Sequence, residues 1–418
     1  MGKKMMEKKN NKVILATLMI YIIIVYPLIY QIYADNGVIG NGNKLFLFFL
    51  LLIFVIHNYK YISFSRHNVL LVISLLYMVI SLLLYAPNMS IQDILREVLY
   101  VFVPIILFFI FEHYPIDQQV FFLNVVIYSL LIVIMVGVLN LFGVVLPIPN
   151  MKVALTHSGV NFQSYYSSLE MGYVVQLLFA MTLMRVTNNS FLTKFRIPVL
   201  VVLFILGILT LQRGCYMGLL FGLFFYVIER AYSNNMTIKN SSWKTLLKLV
   251  LLMMILYVLL KSWYSIASFI SELMGVDIKK FVLDEIHSFN LNDVVADRTE
   301  QAVISNTTNV FHLFFGEGFG KYSPNNTATI RKMPDASYYR IFDELGIIGF
   351  FLFFFPYLCM VVSAVRKRRF FTCYFILETF TAFFFNRILW MIPLNYFIYP
   401  IMSISMKKES CLYEILGG

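Results

Sequence analysis

Charged side chains are scarce in this chain: Asp, Glu, Lys and Arg make up 13% of its 418 residues, whereas 60% are hydrophobic. A soluble domain carries roughly twice that share of charge, so the composition excludes a soluble globular protein. Apolar runs near twenty residues long recur along the sequence, and each can cross a bilayer as a helix. The alternating segments of about ten residues that a transmembrane barrel requires do not occur.

Cysteine and metal-binding motifs are also sparse. The four cysteines lie outside the long polar stretch of the chain and imply no disulfide framework: Cys215, Cys359, Cys373 and Cys411. His287 and His312 are isolated histidines without partners at metal-ligand spacing, and neither HExxH nor CxxC occurs. A Walker-type phosphate-binding loop is missing too. The sequence therefore predicts no metal, no cofactor and no nucleotide hydrolysis.

What remains is an all-α polytopic membrane protein, predicted as one integral domain over residues 1–418 with about twelve transmembrane helices. The apolar core of the first span is too long for a cleaved signal peptide, so we expect an uncleaved helix. The predicted spans are about 13–33, 41–57, 68–86, 95–112, 119–146, 169–186, 197–212, 215–229, 245–263, 343–362, 370–386 and 388–404.

The distribution of Lys and Arg predicts the orientation. With the N-terminus in the cytoplasm, the inner segments hold nineteen Lys and Arg residues. The short outer segments hold five: Lys44, Arg96, Lys152, Arg213 and Arg387. This bias follows the positive-inside rule and places both termini in the cytoplasm. It also accounts for the net charge of +11 without a nucleic-acid partner.

A polar stretch over residues 264–342 is predicted as one large extracytoplasmic loop between spans nine and ten. It has nine acidic and seven basic residues, so its net charge does not attract anions. Individual side chains near its end are candidates for substrate binding: His312, Arg331, Tyr338 and Arg340. Lys152 lies in a second outer segment, Leu146–Leu169, whose Ser, Tyr, Asn and Gln side chains suit sugar hydroxyls or belong to a solvated connector.

Arg213 and Asp335 are the sharpest candidates for chemistry. Arg213 lies in Thr210-Leu-Gln-Arg-Gly-Cys-Tyr-Met-Gly218, between two helices with almost no loop. At a membrane surface a guanidinium beside a helix N-terminus anchors the helix or grips a diphosphate. Asp335 precedes span ten and is a general base for a hydroxyl group or a helix cap. Glu378 falls in mid-span, where an acid is functional or forms an interhelical hydrogen bond.

The order of these features resembles that of bacterial O-antigen and capsular-polysaccharide polymerases, in a superfamily that also contains the O-antigen ligases. The features are a dozen spans, an Arg-Gly at a tight outer turn, a late outer loop that contains Gly316-Glu-Gly-Phe-Gly320, and the segment Asp335-Ala-Ser-Tyr-Tyr-Arg-Ile-Phe-Asp-Glu-Leu-Gly-Ile-Ile-Gly349. Recognisable motifs cover about residues 205–225 and 295–352. The ligases have His-Asn where this chain has Asp335-Ala336, which favours a polymerase.

The resemblance implies metal-independent glycosyl transfer at the outer face of the bacterial cytoplasmic membrane. Undecaprenyl-diphosphate-linked glycans would be donor and acceptor, with membrane lipid, a chain-length regulator and a flippase as partners. Arg213 and Arg298 would hold the diphosphate, and Asp335 is the candidate base. The alternatives are a flippase or other transporter of lipid-linked oligosaccharides, and an O-antigen ligase. A transporter should show inverted repeats and glycine-broken helices, which the sequence does not predict.

Overall fold

The structure, a computed structural model, describes residues 2–32, 37–62, 68–144, 155–156, 159–160, 162–164, 166–184, 189–210, 212–233, 310–322, 337–385 and 394–406. The regular secondary structure of this part of the chain is helical apart from one antiparallel pair of two-residue strands, Leu155–Thr156 (β1) and Gly159–Val160 (β2). A described helix overlaps every predicted span except 245–263, which lies outside the described residues.

The helices are labelled in chain order. The first half contains α1 (Gly2–Ile20), α2 (Tyr26–Ile32), α3 (Gly37–Asn58), α4 (Val69–Tyr85), α5 (Ile91–Glu97), α6 (Val103–Glu112) and α7 (Ile116–Leu141). The second half contains α8 (Ser168–Leu183), α9 (Ser190–Lys194), α10 (Arg196–Leu209), α11 (Arg213–Ser233), α12 (Val310–Phe315), α13 (Ser337–Arg366), α14 (Phe370–Phe385) and α15 (Leu394–Met406).

Six helical stretches in the described residues are long and apolar enough to cross a membrane: Asn10–Tyr30, Gly42–Tyr61, Val69–Asn88, Ile91–Glu112, Ile116–Leu141 and Tyr338–Arg366. Helix α4 shows what kind of side chains these helices expose on the outside of the bundle. Its exposed stripe is apolar, with Ile73, Ile80 and Leu84 at 41%, 57% and 77% exposure, whereas Ser74 and Ser81 are buried. Such a surface is unfavourable in water and suited to lipid. The chain is therefore a helical membrane protein.

Helix α15 occupies the centre of the bundle. Every residue from Leu394 to Ser405 is buried, and the helix packs against α6 and α14. Polar side chains join it to its neighbours: Ser403 donates to the carbonyl of Phe108 at 2.7 Å, and the hydroxyls of Tyr357 and Tyr399 lie 2.7 Å apart. Hydrogen bonds of this kind stabilise helix contacts where apolar burial alone gives no preference over lipid.

Two proline residues explain two irregular turns. The π-helical turns Tyr21–Val25 and Val98–Phe102 come just before Pro27 and Pro104. Proline has no N–H, so the carbonyl four residues earlier loses its helical partner.

Side chains from other helices and segments replace those missing donors. The Tyr166 hydroxyl donates to the carbonyl of Ile23 at 2.7 Å. The Asn395 amide of α15 donates to the carbonyl of Tyr100, four residues before Pro104, and Tyr396 donates to the neighbouring carbonyl of Leu99 within the π-helical turn. The irregular turns thus become points of attachment between parts of the chain that are distant in sequence.

Candidate functional site

The helix that returns into the bundle after the polar stretch is broken. Helix α13 begins at Ser337, six residues before the predicted start of span ten, and contains Gly346 at φ 66° and ψ −172°. A backbone in this conformation cannot continue the helical hydrogen-bond ladder, so carbonyls of the preceding turn need other donors. No glycine-punctuated pair of broken helices was expected from the sequence, and among the described helices the break at Gly346 is a single one that was not predicted.

The Gly-Glu-Gly segment supplies those donors. The N–H groups of Glu317 and Gly318 donate to the carbonyls of Asp343 and Glu344, both at 3.0 Å. This pairing brings the two sequence motifs, 316–320 and 343–349, into one structural unit. We call this unit the junction: residues 310–322, the first half of α13 to Gly346, and the ends of α4 and α5 that they contact.

Glycine is required where the two backbones of the junction meet. A Cβ atom on Gly316 would lie 2.3 Å from the carbonyl oxygen of Glu344, and one on Gly346 would lie 2.5 Å from the nitrogen of Gly316. Both residues also have positive φ, at 78° and 66°. The close approach at Gly346 is made both by Gly316 and by the backbone of Phe314, the penultimate residue of α12.

The same segment is anchored on α4. A Cβ atom on Gly318 would lie 2.4 Å from the Tyr85 ring, so the backbone rests directly on that side chain. The N–H of Phe319 donates to the Ser81 hydroxyl at 3.0 Å, and the Phe319 ring packs edge-on against Phe102 at 5.7 Å. The end of the polar stretch is thus built into the helix bundle.

Arg340 is buried within the junction. It is 1% exposed, and its guanidinium contacts Glu97 at 2.7 Å and Glu344 at 2.9 Å, both 0% exposed. Arg340 was predicted to be a loop residue available to substrate. The structure corrects its position: Arg340 lies in α13, and its guanidinium forms salt bridges with two carboxylates. Glu97 binds Arg340.

Lys321 forms the second ion-pair centre of the junction. Its ammonium contacts Glu317 at 2.7 Å and Asp343 at 2.9 Å, and the Tyr322 hydroxyl also donates to Asp343. The carboxyl side chains of Glu317 and Asp343 are 29% and 23% exposed, whereas Lys321 is 5% exposed. Among the groups in these described ion pairs, the two carboxylates are the most exposed.

The charge balance of the junction decides what it can bind. Arg340 and Lys321 face four carboxylates, those of Glu97, Glu317, Asp343 and Glu344. Both cations are already occupied, and the acids are in excess. The described junction therefore suits hydroxyl groups, which can donate to exposed carboxylates, and it needs other cations to bind a phosphate.

Arg213 lies where the sequence predicted, at a tight turn. Helix α10 ends at Leu209, and Arg213 is the first residue of α11. The N–H of Phe162 donates to the carbonyl of Leu209 at 2.7 Å, so the segment before α8 contacts this turn. The side chain of Arg213 lies outside the described part.

Of the remaining predicted site residues, the structure describes Tyr338 and His312. Tyr338 is half-buried, and its ring centroid lies 4.0 Å from that of Tyr339 with the two planes tilted by 35°. His312 is exposed on α12. Four positions lie outside the described residues, and their roles stay predictions: Lys152, Arg298, Arg331 and Asp335.

A second polar contact lies deeper in the bundle. The Gln176 amide of α8 donates to Glu378 of α14 at 2.7 Å. Gly218 of α11 allows this approach, because a Cβ there would lie 2.1 Å from the Gln176 oxygen. Gln176 and Glu378 line a small cavity of about 20 Å³, which has room for one water molecule. Glu378 thus has the interhelical hydrogen bond that was one of its two predicted roles.

Sequence reasoning missed Glu317, Lys321 and Asp343 as one cluster. The spacing of Glu317 and Lys321 was an available signal, since side chains four residues apart can meet within one turn. In the described ranges, no group of three or more His, Cys, Asp and Glu side chains has an arrangement that could hold a metal. The chain matches no protein-family model, and no curated protein is significantly similar to it.

Proposed function

We propose that this protein polymerises undecaprenyl-diphosphate-linked oligosaccharide repeat units at the outer face of the bacterial cytoplasmic membrane, giving O-antigen or capsular polysaccharide. The observation on which this rests is the junction, where the end of a polar segment is fixed to a broken membrane helix with two carboxylates exposed. A reaction between lipid-linked sugars needs such a boundary, because the lipid tail stays in the bilayer and the sugar stays in water.

The topology that we propose has about twelve spans, cytoplasmic termini and a large outer loop over residues 264–342. Alternating helices then bring the end of α4, the start of α5, the α10–α11 turn and the start of α13 to the outer face. The contacts of Gly318 with Tyr85 and of Phe162 with Leu209 are consistent with that arrangement.

In the proposed reaction, an acceptor hydroxyl oxygen bonds to the anomeric carbon of the donor glycan. The bond from that carbon to the diphosphate oxygen breaks, and undecaprenyl diphosphate leaves with the electron pair. Arg213 and Arg298 stabilise the charge on the leaving group, and Asp335 accepts the hydroxyl proton. The donor is already activated, so neither nucleotide nor metal takes part.

Sugar binding is assigned to the outer residues around this centre: Lys152, His312, Arg331 and Tyr338. We assign Arg340 a different task, because both of its described contacts are buried carboxylates. It fixes α13 against α5 and so positions the junction, without touching substrate.

The second candidate is a transporter of lipid-linked oligosaccharides. The break at Gly346 favours it, since discontinuous helices form the substrate sites of many transporters. In this chain, however, carbonyls at the break accept hydrogen bonds from Glu317 and Gly318 and are not open to a substrate. We therefore place the polymerase first.

A deletion strain complemented with Arg213→Ala, Arg298→Ala or the matched cytoplasmic-side control Arg366→Ala tests the proposal. Glycan length is read on a gel at equal protein levels. We expect single-repeat glycans on the final acceptor for Arg213→Ala and Arg298→Ala, and full-length polymer for Arg366→Ala. Full-length polymer in both site variants would refute the diphosphate clamp. Lipid-linked repeats trapped on the cytoplasmic side would favour the transporter, and long polymer left on the lipid carrier would favour the ligase.

A further inference from the structure

Lys44 of α3 and Arg96 of α5 are near enough for their charges to act on each other, and neither takes part in the described ion pairs of the junction. Lys44 follows Asn43, whose side chain bonds to the Tyr21 hydroxyl and, at 3.4 Å, to the carbonyl of Tyr26. These bonds hold the start of α3 against the turn that joins α1 to α2. Lys44 is half-buried at that point.

Arg96 reaches the same place from α5. Its guanidinium lies over the Tyr100 ring at 5.3 Å, and the hydroxyls of Tyr100 and Tyr26 are near enough to act on each other electrostatically. Tyr26 therefore connects the neighbourhoods of the two cations. The charges of Lys44 and Arg96 act on each other, and Asp93 is near enough to attract Lys44.

Neither cation is neutralised by contact. Among the described residues, Lys44 and Arg96 form no salt bridge within 4.0 Å, and the buried Nε of Arg96 has no hydrogen-bond partner. Two like charges that are half-buried side by side repel each other, and a buried donor without an acceptor is unfavourable. Arg340, in contrast, forms salt bridges with two carboxylates. An anion between Lys44 and Arg96 would relieve both penalties.

We propose that Lys44 and Arg96 form a binding site for the diphosphate of a membrane lipid. In the proposed topology both residues lie within about two turns of the outer end of a helical stretch, Lys44 in α3 and Arg96 in Ile91–Glu112, close to the level of the lipid phosphates. A guanidinium and an ammonium together can bind two phosphate groups, the first by paired hydrogen bonds and the second as a point charge.

The role of this site rests on the proposed function. Polymerisation brings together two lipid diphosphates, of which one leaves and one stays attached to the growing glycan. Arg213 and Arg298 are assigned to the leaving group. We assign Lys44 and Arg96 to the diphosphate that stays intact, so no bond forms or breaks at this site.

The test is direct binding to the full-length protein in nanodiscs. Three probes are compared: undecaprenyl diphosphate in the disc, phosphatidylglycerol in the disc and inorganic diphosphate in solution. The variants are Lys44→Gln, Arg96→Gln and Arg96→Lys. The control is Lys60→Gln, near the opposite end of the α3 span, where the ammonium also lies over a tyrosine ring at 5.3 Å.

We expect Lys44→Gln and Arg96→Gln each to weaken binding of undecaprenyl diphosphate about tenfold, the usual effect of losing one charged hydrogen bond. Arg96→Lys should recover part of that loss, and Lys60→Gln should leave binding unchanged. Without ligand, the melting temperature of the two Gln variants should be unchanged or higher, since a repulsion is removed. A purely structural role would lower it.

Unchanged binding of undecaprenyl diphosphate in both Gln variants would overturn the proposal. An equal loss of phosphatidylglycerol binding would also overturn it, because the site would then bind membrane phospholipids in general. This binding test and the polymerase test can fail independently. If neither Arg213→Ala nor Arg298→Ala affects glycan length but diphosphate binding still depends on Lys44 and Arg96, the proposed function is wrong and the binding site is retained.

Discussion

At the scale of single residues, Arg340 determines the charge balance of the junction. It is 1% exposed and lies between Glu97 and Glu344, which are both fully buried. Removing one partner of a buried ion pair leaves uncompensated charge, which costs about 3–5 kcal/mol. We therefore expect Arg340→Met to unfold at a markedly lower temperature than the wild type, measured by thermal unfolding in lipid nanodiscs.

The matched control is Arg366→Met in the last turn of the same helix, where the side chain is exposed. That substitution removes the same charge and should change stability by less than about 0.5 kcal/mol. Equal melting temperatures for Arg340→Met and Arg366→Met would contradict the buried pair.

Half of the Arg340 pair could be predicted from the sequence. Arg340 and Glu344 are four residues apart, the spacing at which side chains meet on a helix, but the helix was expected to begin three residues later than Arg340. Glu97 is 243 residues away in the chain, and no local pattern links it to Arg340. Tyr338 and His312 were predicted within the polar loop, whereas the structure places them in α13 and α12, and their roles in binding stay predictions.

At the scale of helices, periodicity and hydropathy predicted the presence of a helix better than they predicted breaks within it. Span 68–86 agrees closely with α4 at Val69–Tyr85, because a continuous apolar run has few alternatives in a membrane. The break at Gly346 was not predicted. It depends on hydrogen bonds from Glu317 and Gly318, and such pairing between distant segments leaves no periodic signal in either.

Proline positions yield a sharper prediction about helix form. Pro27 withholds the N–H that would bond to the carbonyl of Ile23, and the Tyr166 hydroxyl donates there instead at 2.7 Å. Tyr166→Phe should destabilise the protein by about 1–3 kcal/mol, because a buried acceptor loses its donor. In Pro27→Ala the new N–H can donate to Ile23 itself, so Tyr166→Phe should cost about 1 kcal/mol less in that background.

This double-mutant cycle has an internal control. The Tyr216 hydroxyl donates to the carbonyl of Ile208 at 3.0 Å, and residue 212, four positions later, is Gln and not Pro. The effects of Tyr216→Phe and Pro27→Ala on the free energy of unfolding should therefore add. If Tyr166→Phe and Pro27→Ala add equally well, Tyr166 does not substitute for the missing N–H.

At the scale of the whole molecule, the membrane class follows from composition and is confirmed by the exposed apolar stripe of α4. The arrangement of helices does not follow. Helix α15 reads as an ordinary apolar span, yet it is wholly buried at the centre of the bundle, because Asn395 and Ser403 bond to α5–α6 carbonyls nearly 300 residues earlier. The proposed orientation rests on charge bias and needs a test of its own.

That test uses single cysteines in a variant whose four native cysteines are replaced by Ala or Ser. Asn88 and Lys367 are exposed, and Val310 is 65% exposed. Gly318 contacts Tyr85, three residues before Asn88, and Val310 begins the short helix that leads to Gly318, while Lys367 follows the far end of α13. With the N-terminus inside, a membrane-impermeant maleimide should label Asn88→Cys and Val310→Cys in intact spheroplasts, and Lys367→Cys only after lysis. The reverse pattern would invert the orientation and place the junction in the cytoplasm, where the proposed substrates are not polymerised. Labelling of Asn88→Cys and Val310→Cys from opposite sides would contradict the packing of the junction itself.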